Sequence, residues 1–412
     1  MATRAATSDL YGQNVLATYA RFPVALERGE GTRVWDEDGR AYLDFTSGIA
    51  VNSLGHAHPA MQKAIAGQAA RLIHVSNLFL NRPQAELAAK INAIMGMPGR
   101  IFFCNSGAEA NEGLYKLARK HGSPQRRNEI ITLDGSFHGR TLGGIAATGQ
   151  IKVKLGFGPP VEGFINVPAR IECVANAAGP RAAAVLVEPI QGEGGVKVMP
   201  ADFLRALREL CDERGMLLLY DEVQCGLGRT GHWHGWHATG APDAAPDAIS
   251  WAKGIGGGFP LGAFWLRENL ADLLGPGTHG TTYGGSPLAC AAARCVLDTI
   301  EKEDLLANAR EHGARLRAAI DGLKSPLVEE LRGAGLLLGV ALRDFRWKDS
   351  TGSDPRPPAL RLTLKLIEHG LLVVPAGENV IRLLPPLNVT GAECDEAVGI
   401  LREVLAVAGP AS

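Results

Sequence analysis

The stretch that decides the fold is MLLLYDEVQCG (216–226), in which apolar and aromatic residues lead directly into two acidic ones. Near-continuous apolarity over a short run is typical of a strand that is covered on both faces of its sheet. Asp221 and Glu222 follow where such a strand would end. Because ligands in open parallel sheets lie beyond the carboxyl ends of the strands, the segment predicts an acid at the functional edge of a sheet.

Further apolar runs indicate more strands of the same sheet. Segments of helical character, such as 107–121 and 200–213, separate them. Alternation of this kind predicts an α/β fold. Glu188 and Lys253 each follow one of these runs, so we expect both side chains to converge with Asp221 on one crevice. The runs cover residues 101–104, 130–133, 183–187 and 248–251.

The pattern differs towards the two ends of the chain. Residues 33–46 have the character of a hairpin that turns at Asp38 and Gly39. After residue 300, a charged helix is followed by shorter strands and another helix. We therefore expect residues 51–300 to form a large central domain. Residues 1–50 and 301–412 are expected to build a smaller α+β domain together.

Composition excludes several classes of protein. The 412 residues are 46% hydrophobic and 21% charged, as in an ordinary globular protein. The chain has 42 basic and 43 acidic residues, so its net charge is close to zero. It therefore has no overall positive electrostatic field that would attract nucleic acid or a membrane surface. The first residues lack the apolar core of a secretory signal, and the seven cysteines form no CxxC pair. A cytoplasmic location is the expectation.

The segment 105–121 predicts a loop that leads into a helix. Ser106 and Glu109 have the spacing of a capping box, and Gly107 would let a ligand approach the backbone closely. The free N–H groups at such a helix start can hold an anion. Together with a lysine whose amine can bond to a carbonyl and an acid suited to a buried cation, the pattern points to pyridoxal phosphate.

Six motifs follow one another along the chain. They are NSGAEANE (105–112), FHGRT (137–141), VEPIQGEGG (187–195), DEVQCGLGRTG (221–231), AKGIGGGFPLGA (252–263) and HGTTYGGSPLA (279–289). In this order they resemble the motifs of the class III pyridoxal-phosphate aminotransferases. The resemblance covers nearly the whole chain, and segments 18–24, 47–59 and 74–84 are most similar to acetylornithine aminotransferases of arginine biosynthesis. It implies the type I fold of pyridoxal-phosphate enzymes, with a large domain around a mixed, mostly parallel sheet, and a homodimer with shared active sites.

The resemblance assigns the catalytic roles and the contacts to the cofactor ring. It implies that Lys253 bonds to the cofactor aldehyde and later moves the substrate proton. Asp221 would pair with the ring nitrogen and keep it protonated, so that the ring can withdraw electrons. Val223 and Phe137 would cover the two ring faces, and Gln224 would donate a hydrogen bond to the ring oxygen.

The resemblance also implies how the phosphate is held. Gly107 and Ala108 would donate backbone N–H groups to it. Thr282 would add a hydroxyl group from the neighbouring subunit. Glu222, next to Asp221, is expected to belong to the same cofactor-binding set.

Two arginines are implied for the substrates. Arg140 resembles the family's carboxylate-binding arginine, and Arg382 resembles the one that takes the α-carboxylate of glutamate or 2-oxoglutarate. A guanidinium grips a carboxylate through two parallel hydrogen bonds. Glu193 resembles the family's gate, which pairs with Arg382 while the δ-amine substrate is bound. Thr281 and Tyr19 are further candidate substrate contacts.

Other functions stay open from the sequence. Ornithine, succinylornithine, N-succinyl-diaminopimelate and 4-aminobutyrate also present an ω-amine and a carboxylate. GLGRTG (226–231) matches the dinucleotide fingerprint of NAD-binding oxidoreductases, although no amphipathic helix follows it. His232, His234 and His237 suggest a metal hydrolase, but no carboxylate or cysteine completes a ligand set, so no metal site is expected. A non-catalytic binding protein would need neither Lys253 nor Asp221.

Overall fold

The computed structural model describes residues 6–348 and 354–410. Helices alternate with strands along most of the chain. The helices are α1 (Thr7–Asn14), α2 (Ser47–Ala50), α3 (Pro59–Ala69), α4 (Arg82–Met95), α5 (Gly107–Gly122), α6 (Leu142–Ala147), α7 (Ile171–Ala177), α8 (Ala201–Arg214), α9 (Gly235–Ala238), α10 (Pro287–Lys302), α11 (Leu305–Gly322), α12 (Pro358–Glu368) and α13 (Gly391–Ala406).

The strands of the described chain form several sheets. They are β1 (Leu26–Glu30), β2 (Arg33–Asp36), β3 (Ala41–Asp44), β4 (Gly99–Cys104), β5 (Glu129–Leu133), β6 (Phe164–Val167), β7 (Ala182–Val187), β8 (Ile190–Gln191), β9 (Lys197–Val198), β10 (Leu217–Asp221), β11 (Ala248–Trp251), β12 (Gly262–Arg267), β13 (Val328–Ala334), β14 (Leu337–Leu342), β15 (Phe345–Trp347), β16 (Leu371–Leu372), β17 (Val374–Pro375), β18 (Val380–Leu383) and β19 (Ala408–Pro410).

The central sheet has the strand order β4-β12-β11-β10-β7-β5-β6. Strand β12 runs antiparallel to both neighbours, and the other pairs are parallel. The predicted mixed, mostly parallel sheet is therefore confirmed, and each of its predicted strands lies within two residues of its expected bounds. The predicted strands do not include β6 and β12. Strand β6 is half-buried at the edge of the sheet, and Asn166 interrupts its apolar run.

Adjacent strands explain why the charged residues meet. Strands β7, β10 and β11 are neighbours in the sheet and run in the same direction. Glu188 follows β7 directly, Asp221 ends β10, and Lys253 comes two residues after β11. Their side chains consequently lie at one edge of the sheet, as the sequence predicts.

The two ends of the chain come together in a second region. Hairpin β2–β3 is antiparallel, and β3 pairs in parallel with β16, which lies more than 300 residues later. Strands β13, β14, β18 and β17 form a further sheet. One hydrophobic core lies against the central sheet, whereas a second contains Leu43 and Phe45 together with Leu338 and Leu383. These facts support the expected division into a large and a smaller domain, which stays a proposal.

The motif GLGRTG forms a loop rather than the start of a helix. Gly226 to Thr230 are turn residues, and the next helix is the single turn α9. Arg229 is buried, and its guanidinium donates to the backbone oxygens of Leu336 and Pro385. These hydrogen bonds therefore connect the central sheet region to the region built from the two chain ends. The segment also lacks the strand-to-helix turn that a dinucleotide site needs. In the part of the chain that the structure describes, no helix is both long and apolar enough to cross a bilayer.

Candidate active site

A cavity of about 450 Å³ opens at the carboxyl edge of the central sheet. Glu188, Asp221 and Lys253 all line it, so the convergence predicted from the strand ends occurs. The wall also includes Asn111 and His138, which the sequence analysis did not single out. The predicted cofactor and substrate residues that line the cavity are Gly107, Ala108, Phe137, Arg140, Glu193, Asp221, Val223, Gln224 and Lys253.

Lys253 presents an amine that is free to react. Its backbone has φ of 47°, in the left-handed region that non-glycine residues rarely adopt and that often marks functional sites. Within residues 6–348 and 354–410, its amine makes no hydrogen bond or ion pair. Burial lowers the pKa of Lys253 below its ordinary value, and the nearby Arg382 cation lowers it further. A larger share of this amine is therefore neutral and nucleophilic than for a surface lysine.

Asp221 is a buried carboxylate held from three sides. Its Oδ1 accepts a hydrogen bond from the backbone N–H of Val223 at 3.0 Å. Its Oδ2 accepts one from Nδ2 of Asn111 at 2.7 Å and lies 2.8 Å from Nδ1 of His138. These three contacts fix the orientation of the carboxylate. Asp221 is suited to pairing with a cationic group in the cavity.

Asn111 is itself fixed by neighbours. Its Oδ1 accepts a hydrogen bond from the Ser250 hydroxyl at 2.7 Å, and its Nδ2 also donates to the backbone oxygen of His138 at 3.1 Å. Asn111 lies among the buried residues of α5, between Ala110 and Leu114. A polar residue on an apolar helix face needs a buried partner, and that signal in the sequence points to Asn111.

The amino end of α5 forms a cradle for an anion. The Ser106 side chain accepts from the Glu109 N–H at 3.2 Å, as the predicted cap requires. The Glu109 carboxylate bonds to Asn105 instead of Ser106, so the box is displaced by one residue. The N–H groups of Gly107 and Ala108 begin the helix and have no partner within it. A Cβ on Gly107 would lie 2.8 Å from Val223 Cγ1, so only glycine fits.

Phe137 and Arg140 form one wall of the cavity. The backbone N–H of Phe137 donates to Glu188 Oε2 at 2.9 Å. Arg140 is exposed, and its guanidinium carbon lies 5.5 Å from the centre of the Phe137 ring. Burial raises the pKa of Glu188 well above its ordinary value, and the nearby Asp221 carboxylate raises it further. Glu188 thus holds the backbone of Phe137 in place at the cavity wall.

The opposite wall contains an ion pair. Arg382 Nη1 lies 2.6 Å from Glu193 Oε1, and Arg382 Nη2 donates to Glu193 Oε2 at 3.0 Å. Burial alone would raise the pKa of Glu193, but Arg382 and Lys253 bring it below its ordinary value. Glu193 lines the cavity whereas Arg382 lies behind it, almost fully buried. The Glu193 carboxylate thus lies between the cavity and the buried guanidinium.

Several predicted residues lie outside this cavity. Glu222 points away from it, because its Oε1 accepts from the backbone N–H of Trp236 at 2.8 Å. Asp221 lines the cavity, whereas Glu222, the residue that follows β10, does not. The cofactor contact assigned to Glu222 stays a prediction. Burial raises the pKa of Glu222 to about 8.

Thr281, Thr282 and Tyr19 also lie away from the cavity of their own chain. Thr281 Oγ1 accepts from Asn105 Nδ2 at 3.2 Å and so lies beside the helix cradle. Thr282 is exposed, and its predicted role concerns a neighbouring subunit. Tyr19 is 76% exposed and lies near Arg21. The roles of these three residues stay predictions.

The histidine segment is built into the protein core. His234 is buried, its Nε2 lies 3.2 Å from the backbone oxygen of Ile94, and its ring stacks on Trp236 at 4.3 Å. Burial lowers the pKa of His234 to about 4. Among the described residues, no group of three or more His, Cys, Asp or Glu side chains is arranged to hold a metal.

The donor set of the cavity fits pyridoxal phosphate. Lys253 supplies an unpaired amine for the aldehyde, and Asp221 supplies a fixed carboxylate for the ring nitrogen. The start of α5 supplies N–H groups for a phosphate, beside a glycine that leaves the backbone uncovered. Val223 and Phe137 supply apolar surfaces for a flat ring.

Comparison with known proteins agrees with this set. The family model for aminotransferase class-III matches residues 15–405. An acetylornithine aminotransferase of Caldanaerobacter subterraneus subsp. tengcongensis is 46% identical over 399 residues, covering 95% of this chain and 97% of that protein.

Solved structures show the same architecture. The acetylornithine aminotransferase from Elizabethkingia anophelis superposes with a TM-score of 0.83 at 34% identity, covering 97% of this chain and 98% of that one. The ornithine aminotransferase from Toxoplasma gondii superposes with a TM-score of 0.89 at 34% identity, covering 97% and 94%. That structure is described as having partial occupancy of PLP, pyridoxal phosphate, at its active site.

Proposed function

The chain belongs to the class III aminotransferases, and from this premise we propose that it transfers the δ-amino group of N-acetylornithine to 2-oxoglutarate. The products are N-acetylglutamate 5-semialdehyde and glutamate, and the reaction is a step of arginine biosynthesis. The cofactor is pyridoxal phosphate, as for other members of this family. The chain is thus a transaminase that acts on small molecules.

One observation carries the proposal. The unpaired amine of Lys253, the fixed carboxylate of Asp221 and the start of α5 all face one cavity. The Lys253 amine suits a carbonyl group, the Asp221 carboxylate suits a ring nitrogen, and the start of α5 suits a phosphate. Residues from three separate chain segments supply this set, so no single motif accounts for it.

Pyridoxal phosphate, when bound, supplies an electron-withdrawing ring that takes up the electron pair released at the substrate carbon. Asp221 keeps a negative charge where the ring nitrogen would lie, and Asn111 and His138 hold that charge in place. The Lys253 amine removes the substrate proton and returns it to a neighbouring atom. Phe137 and Val223 exclude water from the two faces of the site.

The two carboxylate-binding positions support the choice of substrates. Arg140 stands exposed at the cavity wall and can take the carboxylate of acetylornithine. Glu193 neutralises Arg382, so a second carboxylate is not required for that substrate. Glutamate and 2-oxoglutarate carry a second carboxylate, which can replace Glu193 on Arg382. One site thereby serves both half-reactions.

We propose a cytoplasmic homodimer. Large apolar side chains are exposed along residues 72–80, among them Leu78 at 88% and Leu80 at 104% of full exposure. An apolar surface of this kind supports burial against a second copy of the chain. Thr282 is exposed and available to the partner's phosphate. Sedimentation of the purified protein measures the oligomeric state, and a monomer would contradict the proposal.

Two measurements test the proposed function. Purified protein is expected to have a visible absorption band that borohydride abolishes, because borohydride reduces the bond between Lys253 and the cofactor. A colourless protein that gains no such band with pyridoxal phosphate would refute the cofactor. Values of kcat/KM for acetylornithine, ornithine, succinylornithine, N-succinyl-diaminopimelate and 4-aminobutyrate test the substrate. An advantage of about tenfold or more for any competitor would refute the substrate choice.

A further inference from the structure

Gln224 lies between both members of the ion pair. Its Oε1 accepts a hydrogen bond from Arg382 Nη1 at 2.9 Å, and its Nε2 donates one to Glu193 Oε1 at 3.2 Å. The side chain thus contacts the cation and the carboxylate at once. Its position is tightly enclosed, since a Cβ on Gly192 would lie 2.3 Å from Gln224 Oε1.

The chemistry of its neighbours fixes which way the amide points. A guanidinium only donates hydrogen bonds, so Arg382 requires the amide oxygen. A carboxylate only accepts them, so Glu193 requires the amide nitrogen. The reversed orientation would place like groups together at both contacts. Gln224 is therefore matched to the state in which Glu193 and Arg382 are paired.

Gln224 also helps to cover Arg382. Gln224 and Glu193 line the cavity, whereas Arg382 is 1% exposed and does not. The guanidinium has further acceptors in the backbone oxygens of Gly192 at 3.4 Å and Pro375 at 3.0 Å. Arg382 is thus held from behind, and an incoming carboxylate has to displace Glu193 from its cavity side.

Displacement of Glu193 costs one of the two bonds of Gln224. The bond from Arg382 to Gln224 Oε1 involves neither Glu193 nor a substrate, so it can persist. The bond from Gln224 Nε2 to the Glu193 carboxylate is lost when that carboxylate leaves. Gln224 consequently stabilises the closed state relative to the open one through a hydrogen bond to a charged group.

We propose that Gln224 is a specificity-determining residue that holds Glu193 on Arg382 and so weakens the binding of dicarboxylates relative to monocarboxylates. This inference rests on the proposed function, because it assigns Arg382 to the second carboxylate of glutamate. It goes beyond a contact between Gln224 and the cofactor, since such a contact would serve both half-reactions equally.

The test measures binding rather than turnover alone. Glutarate and valerate differ by one carboxylate and cannot undergo transamination. Calorimetry on the cofactor-loaded protein is expected to show about tenfold tighter glutarate binding after Gln224→Met, the size of one hydrogen bond to a charged group. Valerate affinity is expected to stay the same. The ratio of kcat/KM for glutamate to that for acetylornithine should rise in parallel.

Two further variants make the test decisive. In a Glu193→Gln background, Gln224→Met should leave the glutarate affinity unchanged, because the charged acceptor is already gone. Gln191→Met is the matched control, since Gln191 is a buried glutamine in β8, two residues before Glu193, but donates to the Asp134 oxygen at 3.0 Å and does not contact Arg382. It should leave the glutarate-to-valerate ratio unchanged.

Several outcomes would overturn the inference. Equal changes for glutarate and valerate would show a role through the cofactor or the fold. An effect that persists in the Glu193→Gln background would show that Gln224 does not act through Glu193. If Gln224→Met fails to fold, Gln224→Asn replaces it, because its amide is one methylene too short to reach Glu193. Failure of the proposed function would instead appear as an absence of transamination in the unaltered enzyme.

Discussion

The two ends of the cavity are built on different principles. At one end, Asp221 is held by Asn111, His138 and the backbone of Val223, and Ser250 holds Asn111. Each of these partners belongs to a strand, a helix or an adjoining turn of the central sheet. At the other end, Arg382 is neutralised by Glu193. In the proposed function, a substrate carboxylate replaces Glu193 there.

The difference corresponds to what each end has to do. The cofactor stays in place through both half-reactions, so its contacts gain from rigidity. The two amino donors differ in one carboxylate, so the contact that distinguishes them has to change between half-reactions. A fixed end and an exchangeable end within one cavity satisfy both requirements.

Removal of the reactive amine is expected to have the largest effect. Lys253→Ala should lower kcat by on the order of 10⁴-fold or more in both half-reactions, because both the bond to the cofactor and the proton carrier are lost. Steady-state and single-turnover rates measure this loss. Lys63→Ala on the exposed face of α3 is the control and should retain full activity. Substantial turnover by Lys253→Ala would show that another residue carries the proton.

Removing the charge of Asp221, at the fixed end of the cavity, is expected to cause the second-largest loss of activity. Asp221→Asn keeps the shape of the side chain but removes its charge, so kcat should fall by on the order of 10²-fold to 10³-fold. Because the fixed end serves both half-reactions, the two should fall by similar factors. Separate single-turnover measurements with acetylornithine and glutamate check this, and a selective loss of one would break the distinction between the ends.

Removal of the exchangeable charge should act selectively. Glu193→Gln leaves Arg382 without its ion pair. The value of kcat/KM should therefore rise for glutamate and fall for acetylornithine. The ratio of the two values should move by about tenfold or more, as expected for a charged hydrogen bond. Equal changes for both substrates would indicate that Glu193 does not control access to Arg382.

The ends are also connected through electrostatics. Burial and Arg382 lower the pKa of Lys253, whereas Glu193 raises it. Because the neutral amine reacts, Glu193→Gln should shift the rise in reactivity of Lys253 to lower pH. The rate at which cofactor-stripped protein forms a borohydride-stable adduct with pyridoxal phosphate, measured against pH, tests this. A shift to higher pH would contradict the assigned sign.

The smallest expected effect concerns support of the fixed end. Ser250→Ala removes the hydroxyl that holds Asn111, so the free energy of unfolding should fall by about 1 kcal/mol. The activity should fall only severalfold, because Asn111 keeps its bonds to Asp221 and to the His138 backbone. Thermal unfolding and kcat measure the two effects. A loss as large as that of Asp221→Asn would mean that the network acts as one unit.

Much of the site could be predicted from the ends of strands. The runs before Glu188, Asp221 and Lys253 are apolar because their strands are covered on both faces, and parallel neighbours bring their ends together. The pairing of Glu193 with Arg382 was expected from resemblance, and it occurs at 2.6 Å. Asn111, His138 and Ser250 were missed, since each side chain gains its role from a partner more than 25 residues away.

The sequence by itself determined the order of strands and helices and the kinds of charged residues at their ends, because apolar runs and capping residues act locally. Only the tertiary structure decided which of two adjacent acids faces the cavity. Asp221 lines the cavity, whereas the Glu222 carboxylate accepts a hydrogen bond from the backbone of Trp236, which lies 14 residues later in the chain. The tertiary structure also placed Arg382 behind Glu193 and Gln224, since packing between distant segments decides what covers a charge.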